Sequence, residues 1–513
     1  MRRTLSAGFL GTLLILTDLP LQADEPNGLA AAAALQDLFI RAIESAEQSV
    51  VSIARDKVQP PAPPPRLPAR GQFPPFRQET QGIDSPDYIP NEFGAGIVID
   101  DNGLILTNYH LVRGGPIEGR PDEKSDQRLY VRLPDRRGFD AKIFAADPRS
   151  DLAVLKIPVN GLRPIRLGNA SAVRKGQFAI ALGNPYLIAR DGSASATWGI
   201  ISNLTRQAMQ DPEVSDLENR RRETIQNLGV LMQIDTRLDL GTSGGALLNL
   251  QGELIGITTS LAAVAGYEKS AGFAVPVDDS TRRIIDSLRQ GKEVEYGFLG
   301  IVPRDVPPNE FAIDLAPIAK RHEQYGAARI DEVLTNLPAE RFGMRRGDLV
   351  LRVGEKRIRS KTDLMREIGM LAPGAIAHVL VWRAADHREV ELNIEVGKWP
   401  VSDEEGMIVS TPTRAPWRGI KYDYPSARSR SFKFLNSPER NLGVLVLDVE
   451  PNSPAALAEL HYEDLITHVR GKPVHTPTEF QKAVESEAGP VTLQVIPASS
   501  PQPIPKAVEV RTR

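Results

Sequence analysis

The sequence contains no cysteine, so no disulfide braces the fold, no thiolate attacks a substrate and no Cys-based metal site exists. Long apolar runs are equally scarce. After the first two dozen residues, no stretch is long enough to cross a bilayer as a helix. Neither sign of charge dominates. A formal net charge of −3 over 513 residues gives no bulk pull toward nucleic acid or an anionic membrane, and neither is expected as a partner. Histidine is also sparse: of seven, only His110 lies ahead of residue 300, and the other six fall in the C-terminal part.

What is present has a clear order. Residues 1–23 read as an export signal, with Arg2-Arg3, an apolar segment from Leu5 to Thr17, and Leu21-Gln22-Ala23 as a cleavage site. The expectation is a protein that is periplasmic or otherwise extracytoplasmic, an uncleaved N-terminal anchor being the alternative. At 513 residues the chain exceeds what one hydrophobic core organises, so three domains or more are expected.

Gly28 to Ala54 has a helical rhythm that ends in Val50-Val51-Ser52-Ile53, the entry to a first strand. Prolines then crowd from Gln59 to Pro90, a composition that favours solvated, extended chain, or else a proline-recognition ligand. From Phe93 the texture becomes short β-runs with glycine and proline punctuation, from Gly94–Ile99 and Leu104–Thr107 through Leu152–Ile157 to Leu254–Thr259 and Gly272–Val275. Many short strands with little helix between them argue for an antiparallel barrel or sandwich, a mainly β fold.

Past Val277, a helix over Asp279–Leu288 with Gly291 as its stop closes this region. An internal repeat follows. Asp464 minus Asp348, Pro454 minus Pro338 and Val474 minus Ile358 are each 116 residues, and a helix is expected in both copies, at Lys361–Ile368 and Pro477–Val484. Between the copies, Trp399 to Arg414 is polar and proline-bearing, as a linker would be.

The chemistry centres on Gly241-Thr242-Ser243-Gly244-Gly245, a serine in a glycine turn between apolar runs. Such a turn displays a nucleophile, but it matches two templates. In the α/β-hydrolases the histidine follows the serine, whereas in chymotrypsin-like enzymes the order is His, Asp, Ser. His110 ends the run Leu104-Ile-Leu-Thr-Asn-Tyr, and Asp151 opens Leu152-Ala-Val-Leu-Lys-Ile157. Each alone is an ordinary structural residue. Their order and the strands beside them favour the second template.

With these residues in place the sequence resembles the HtrA/Deg family of secreted serine proteases, similar to DegP and DegQ. The matches are Thr107-Asn108-Tyr-His110, Ser150-Asp151-Leu-Ala-Val-Leu-Lys-Ile157, Leu182-Gly-Asn-Pro185, Gly241-Thr-Ser243-Gly-Gly-Ala246-Leu247, Gly252-Glu-Leu-Ile-Gly-Ile257 and Gly272-Phe-Ala-Val-Pro276. The resemblance implies a chymotrypsin-like double β-barrel followed by two α+β PDZ domains. Its boundaries would be a signal at 1–23, an N-terminal helix and loop at 24–92, a protease domain at 93–290, PDZ domain 1 at 291–398, a linker at 399–414 and PDZ domain 2 at 415–513.

The resemblance further implies His110 as general base and then acid, Asp151 as its orienter, Ser243 as nucleophile, and the main-chain N–H groups of Gly241 and Ser243 as the oxyanion hole. Leu238 would form an apolar wall of the specificity pocket, with Arg237 and Asp239 either paired or reshaping it. Thr242 stands where the family usually has asparagine, and Ala246 where proline is frequent. Gln207 to Gln226 corresponds to a loop that senses the first PDZ domain, with Arg220 a possible relay. The peptide-binding loops would be Phe298-Leu299-Gly300-Ile301 and, with more departure, Trp417-Arg418-Gly419-Ile420. In the second copy His461-Tyr462-Glu463-Asp464 replaces the Gly347-Asp348 turn. The partners implied are unfolded protein substrates, C-terminal peptides and further copies of the chain in a homotrimer or larger oligomer, with no metal and no cofactor. The rival reading is a catalytically silent PDZ chaperone or scaffold.

Overall fold

The computed structural model describes residues 25–57, 90, 92–119, 127–184, 192–206, 230–236, 238, 241–259, 272–307, 309–310, 315–400, 410, 414–427, 442–485, 487–500 and 503–512. The expected export signal, the proline-crowded stretch up to residue 89 and the 207–229 segment with Arg220 lie outside them, as do Arg237 and Asp239.

Helix α1 (Glu25–Ala46) leads into strand β1 (Val50–Lys57). With β2 (Glu92–Val98), β3 (Leu104–Asn108), β4 (Gln127–Arg132), β5 (Gly138–Asp147) and β6 (Leu152–Lys156), β1 forms a closed barrel in the order β1-β2-β3-β6-β5-β4. A second closed barrel, β10-β11-β12-β9-β8-β7, is built from β7 (Phe178–Gly183), β8 (Ser195–Arg206), β9 (Leu231–Ile234), β10 (Ala246–Leu248), β11 (Leu254–Thr259) and β12 (Gly272–Pro276). Strand β1 lies ahead of residue 93, where the protease domain was expected to start. A sheet closes only when both edge strands find partners, and β1 supplies them by pairing β2 on one side and β4 on the other.

The near-continuous apolar strands follow from burial on both faces. In β6, Ala153 and Leu155 point into the first barrel while Leu152 and Val154 face the layer between the barrels. In β7, Ala179 and Ala181 fill the second barrel, and Ile180 and Leu182 meet the same shared layer. Each fully buried Leu or Val contributes roughly 1.5–3 kcal/mol, so this double use locks the barrels side by side. The candidate site takes its residues from both barrels.

The repeat folds twice. One six-stranded sheet orders β14 (Ile301–Val306), β15 (Ala327–Val333), β16 (Leu349–Val353), β18 (Ile376–Arg383) and β19 (Arg388–Glu395), with β17 (Lys356–Arg357) on β16. The other orders β21 (Ile420–Asp423), β22 (Val444–Val449), β23 (Leu465–Val469), β25 (Val491–Ile496) and β26 (Lys506–Val510), with β24 (Lys472–Pro473) on β23. The two share one topology, with helices Lys361–Gly369 and Pro477–Glu485 at equivalent places. A two-stranded pairing of β13 (Gly297–Phe298) with β20 (Gly397–Lys398) brackets the first copy.

The ends of the expected linker are not free. Lys398 is 1% exposed, and its Nζ lies 3.1 Å from Glu293, 3.1 Å from Glu295 and 2.6 Å from Asp423. Arg414 Nη1 reaches Glu295 at 2.8 Å and Asp423 at 2.9 Å. These side chains form a buried ionic knot joining the end of the barrel region to both sheet modules.

Candidate active site

The site begins with the chain's own strand ends. Strand β3 stops at Asn108, and the short helix α2 (Tyr109–Val112) turns His110 over the rim of the first barrel. Asp151 lies across from it because β5 and β6 are a hairpin, Asp147 pairing with Leu152, whose four-residue loop ends at Asp151. The His110 Nδ1 is 2.8 Å from Asp151 Oδ2, and the His110 backbone N–H donates to Asp151 Oδ1 at 2.9 Å. The Asp151 carbonyl accepts from the Tyr109 N–H at 2.8 Å and from Asn108 Nδ2 at 3.3 Å. Asp151 itself adopts φ +52°, a left-handed conformation that aspartate tolerates better than most residues. The carboxylate is buried, and the imidazole is partly open to solvent.

Ser243 comes from the second barrel and is tied to the first. Gly241 and Gly244 have φ +95° and +81°, values that favour glycine, and they bend the chain so that Ser243 is presented at a tight turn closed by Gly245 N–H to the Thr242 carbonyl at 3.0 Å. The Thr242 carbonyl is held further by the Thr258 hydroxyl at 2.5 Å. The Ser243 carbonyl accepts from Ala95 N–H of β2 at 2.8 Å, and the Ala95 carbonyl accepts from the Thr107 hydroxyl at 2.8 Å, three residues before His110. Gly94 is wedged between Leu111 and the Ser243 carbonyl: a Cβ there would sit 2.4 Å from Leu111 Cδ1 and 3.0 Å from that oxygen. Hydrogen bonds through β2 and β3 therefore tie the Ser243 turn to the strand end that carries His110.

Leu238 packs, half-buried, against the second barrel's core cluster, and a Cβ on Gly272 would come within 2.8 Å of its Cγ. Asn184, of the Leu182-Gly-Asn motif, donates from Nδ2 to Ser52 Oγ of β1 at 2.7 Å. Sequence reasoning gave Ala95 and Thr258 no role and saw Thr107 only as part of a motif, because their contributions are a backbone group and two hydroxyls whose partners are distant in sequence.

The peptide-loop candidates divide. Phe298 and Leu299 are buried, Phe298 packing edge-on to Trp399 with ring centroids 5.7 Å apart, and Gly300 has φ +77° with Leu337 against it. Ile301 then opens β14, an edge strand. In the second copy Trp417 and Ile420 exchange backbone hydrogen bonds at 3.0 and 2.8 Å around Arg418 and Gly419, with φ +49° and +87°. The Ile420 N–H is thereby committed to the turn. Trp417 stacks edge-on to Phe480 at 5.5 Å, which makes it part of the module's core.

Two closed six-stranded barrels, with a buried carboxylate on an imidazole from one and a serine turn from the other, define a trypsin-like serine endopeptidase. The comparisons agree. The profile described as a trypsin-like peptidase domain matches residues 94–257, and the one described as a PDZ domain matches residues 426–496. A probable periplasmic serine endoprotease DegP-like from Halomonas elongata is 30% identical over 404 residues, 78% of this chain and 76% of that protein. The periplasmic pH-dependent serine endoprotease DegQ of Escherichia coli is 29% identical over 420 residues, 81% of each chain. Among solved structures, an HtrA-type protease AlgW with decapeptide is similar with a TM-score of 0.48 and 24% identity, over 71% of this chain and 99% of that one. The chain belongs to the family of DegP-like periplasmic serine endoproteases.

Proposed function

We propose that this protein is an extracytoplasmic, ATP-independent endopeptidase of unfolded or damaged proteins, with His110, Asp151 and Ser243 as its catalytic triad and PDZ domains that regulate it by binding peptides. The observation that carries the reading is the 2.8 Å contact of His110 Nδ1 with Asp151, linked to the Ser243 turn through Ala95 and Thr107. With Nδ1–H donated to Asp151, Nε2 keeps its lone pair and serves as the base. It takes the Ser243 proton as Oγ attacks the scissile carbonyl, then delivers that proton to the leaving amine. Water repeats the sequence on the acyl-enzyme. The N–H groups of Gly241 and Ser243 stabilise the tetrahedral oxyanion, each such donor being worth about 3 kcal/mol. Leu238 lines an apolar specificity pocket suited to small aliphatic side chains.

The first sheet module supports a peptide-binding role because β14 is an edge strand directly after the Leu299-Gly300 turn, so a peptide can add as a further strand with its C-terminal carboxylate at that turn. Assembly into a trimer or larger oligomer is supported by exposed apolar surface on one side of the barrels. Trp198 is 62% exposed in an aromatic cluster with Phe39 and Phe178, beside exposed Leu35 and Leu38 of α1. The test is direct. The wild type is expected to react with a fluorophosphonate and cleave unfolded casein, and Ser243→Ala to do neither. A wild type that does neither, with or without C-terminal peptide, leaves the silent chaperone or scaffold as the better reading.

A further inference from the structure

The loop that ends in Asp151 is folded around a second buried carboxylate. Asp147 is 1% exposed, yet it closes β5 one loop away from the reacting groups. Its Oδ2 accepts from the Ser150 N–H at 3.1 Å and from the Tyr296 hydroxyl, its Oδ1 accepts from Arg149 Nε at 3.0 Å, and its carbonyl accepts from Ser150 Oγ at 3.3 Å. Asp151 N–H turns back to the Pro148 carbonyl at 3.4 Å. Arg149 and Ser150, the two residues that lead into Asp151, are therefore both held by one anion.

Most of that winding is local, but one partner is not. Tyr296 lies 149 residues away in sequence, after the closing helix of the barrel region, and is 1% exposed. Burial, and then the Asp147 charge, push its phenol well above the usual range, so it remains a neutral donor. The Arg149 guanidinium lies over the Tyr296 ring at 4.3 Å and donates to the Val294 carbonyl at 2.5 Å. Tyr296 is fixed in turn from the other side: its carbonyl accepts from the Trp399 N–H at 2.7 Å, and its neighbour Glu295 is clamped by Lys398 and Arg414.

We infer that Tyr296 is a positioning residue, which through Asp147 holds the 148–151 loop so that Asp151 keeps His110 in its productive orientation. The inference rests on the triad reading. Tyr296→Phe removes the hydroxyl and leaves the ring under Arg149, so the core packing is retained. The sensitivity of triads to sub-ångström placement gives the expected size: kcat about tenfold lower, equivalent to about 1.4 kcal/mol of transition-state stabilisation lost, with KM for unfolded casein unchanged.

The experiment counts active sites by fluorophosphonate titration and measures kcat per titrated site. A purely structural role for Tyr296 would lower the number of titratable sites and leave kcat per site unchanged, and that result overturns the inference. Asp147→Asn supplies the second arm. If Tyr296 acts through Asp147, the double variant Tyr296→Phe/Asp147→Asn has the kcat of Asp147→Asn alone; multiplicative losses overturn the route through Asp147. A wild type that neither titrates nor cleaves overturns the triad reading, and this inference with it, whereas an active wild type with an equally active Tyr296→Phe overturns the inference only.

Discussion

At the scale of single residues, the two copies of the repeat show how a sequence departure is absorbed. Gly347 at φ +88° sends its N–H to the Ile330 carbonyl at 2.7 Å, and Glu463 at φ +66° sends its own to Val446 at 2.9 Å. The turn that the sequence comparison marks as changed is geometrically the same, with a side chain held where glycine is favoured. A left-handed non-glycine residue costs roughly 1–2 kcal/mol, and glycine's extra freedom in the unfolded chain offsets about 0.4–1 kcal/mol of any gain. Glu463→Gly is therefore expected to stabilise the second module by about 0.5–1 kcal/mol, read as a higher urea midpoint; an unchanged or lower midpoint contradicts the strain argument. The same scale shows what sequence reading reaches. His110, Asp151 and Ser243 stand out because each sits at a strand end or glycine turn whose signal is encoded by its immediate neighbours. Tyr296 and Asp147 do not, since nothing local to either one announces a partner 149 residues distant.

Among the elements, the strands were the most legible part of the chain, because apolar runs between glycine and proline breaks mark them directly. The expected run Leu104–Thr107 is β3 with one more residue, and Gly272–Val275 is β12 with one more. Alternation added what composition could not: in β6 the two residue sets face two different cores. Which edges stay open was not legible, since that depends on pairing order. Strand β14 is such an edge, and its register against β15 shifts at Val302/Pro303, since edge strands and bulges are where a proline is tolerated. A peptide with an apolar C-terminus is expected to raise casein turnover, and the same peptide with a C-terminal amide to need about 10–100 times the concentration, since a lost charge-assisted contact costs roughly 1.5–3 kcal/mol. Equal potency of acid and amide would remove the carboxylate turn from the account of regulation.

For the whole molecule, the ionic knot sets how the modules are held together. Burial pushes Glu295 upward, but Lys398 and Arg414 outweigh it and hold the carboxyl below its ordinary value of 4.5. Burial likewise depresses Lys398, but Asp423, Glu293 and Glu295 raise it above 10.5. A depressed carboxyl contributes stability that is present above its unfolded value and is lost as pH falls through the folded one. A raised ammonium contributes stability that is complete below its unfolded value and is lost as pH rises through the folded one. Urea midpoints are thus expected to form a plateau between these limits and to fall once the pH drops below about 4.5. Lys398→Met removes the cation shared by Glu293, Glu295 and Asp423, a loss of about 3 kcal/mol at neutral pH, and flattens the acid decline because Glu295 loses the larger of the two charges that hold it down. A variant with wild-type acid sensitivity would show that the decline arises elsewhere. One further consequence comes from β1. A fragment begun at residue 93 would be a cask missing a stave, with β2 and β4 each left with a bare margin that invites another chain to fill it. The eight residues of β1, ahead of the proline-crowded stretch, are thus as much a part of the first barrel as any strand that carries a reacting group.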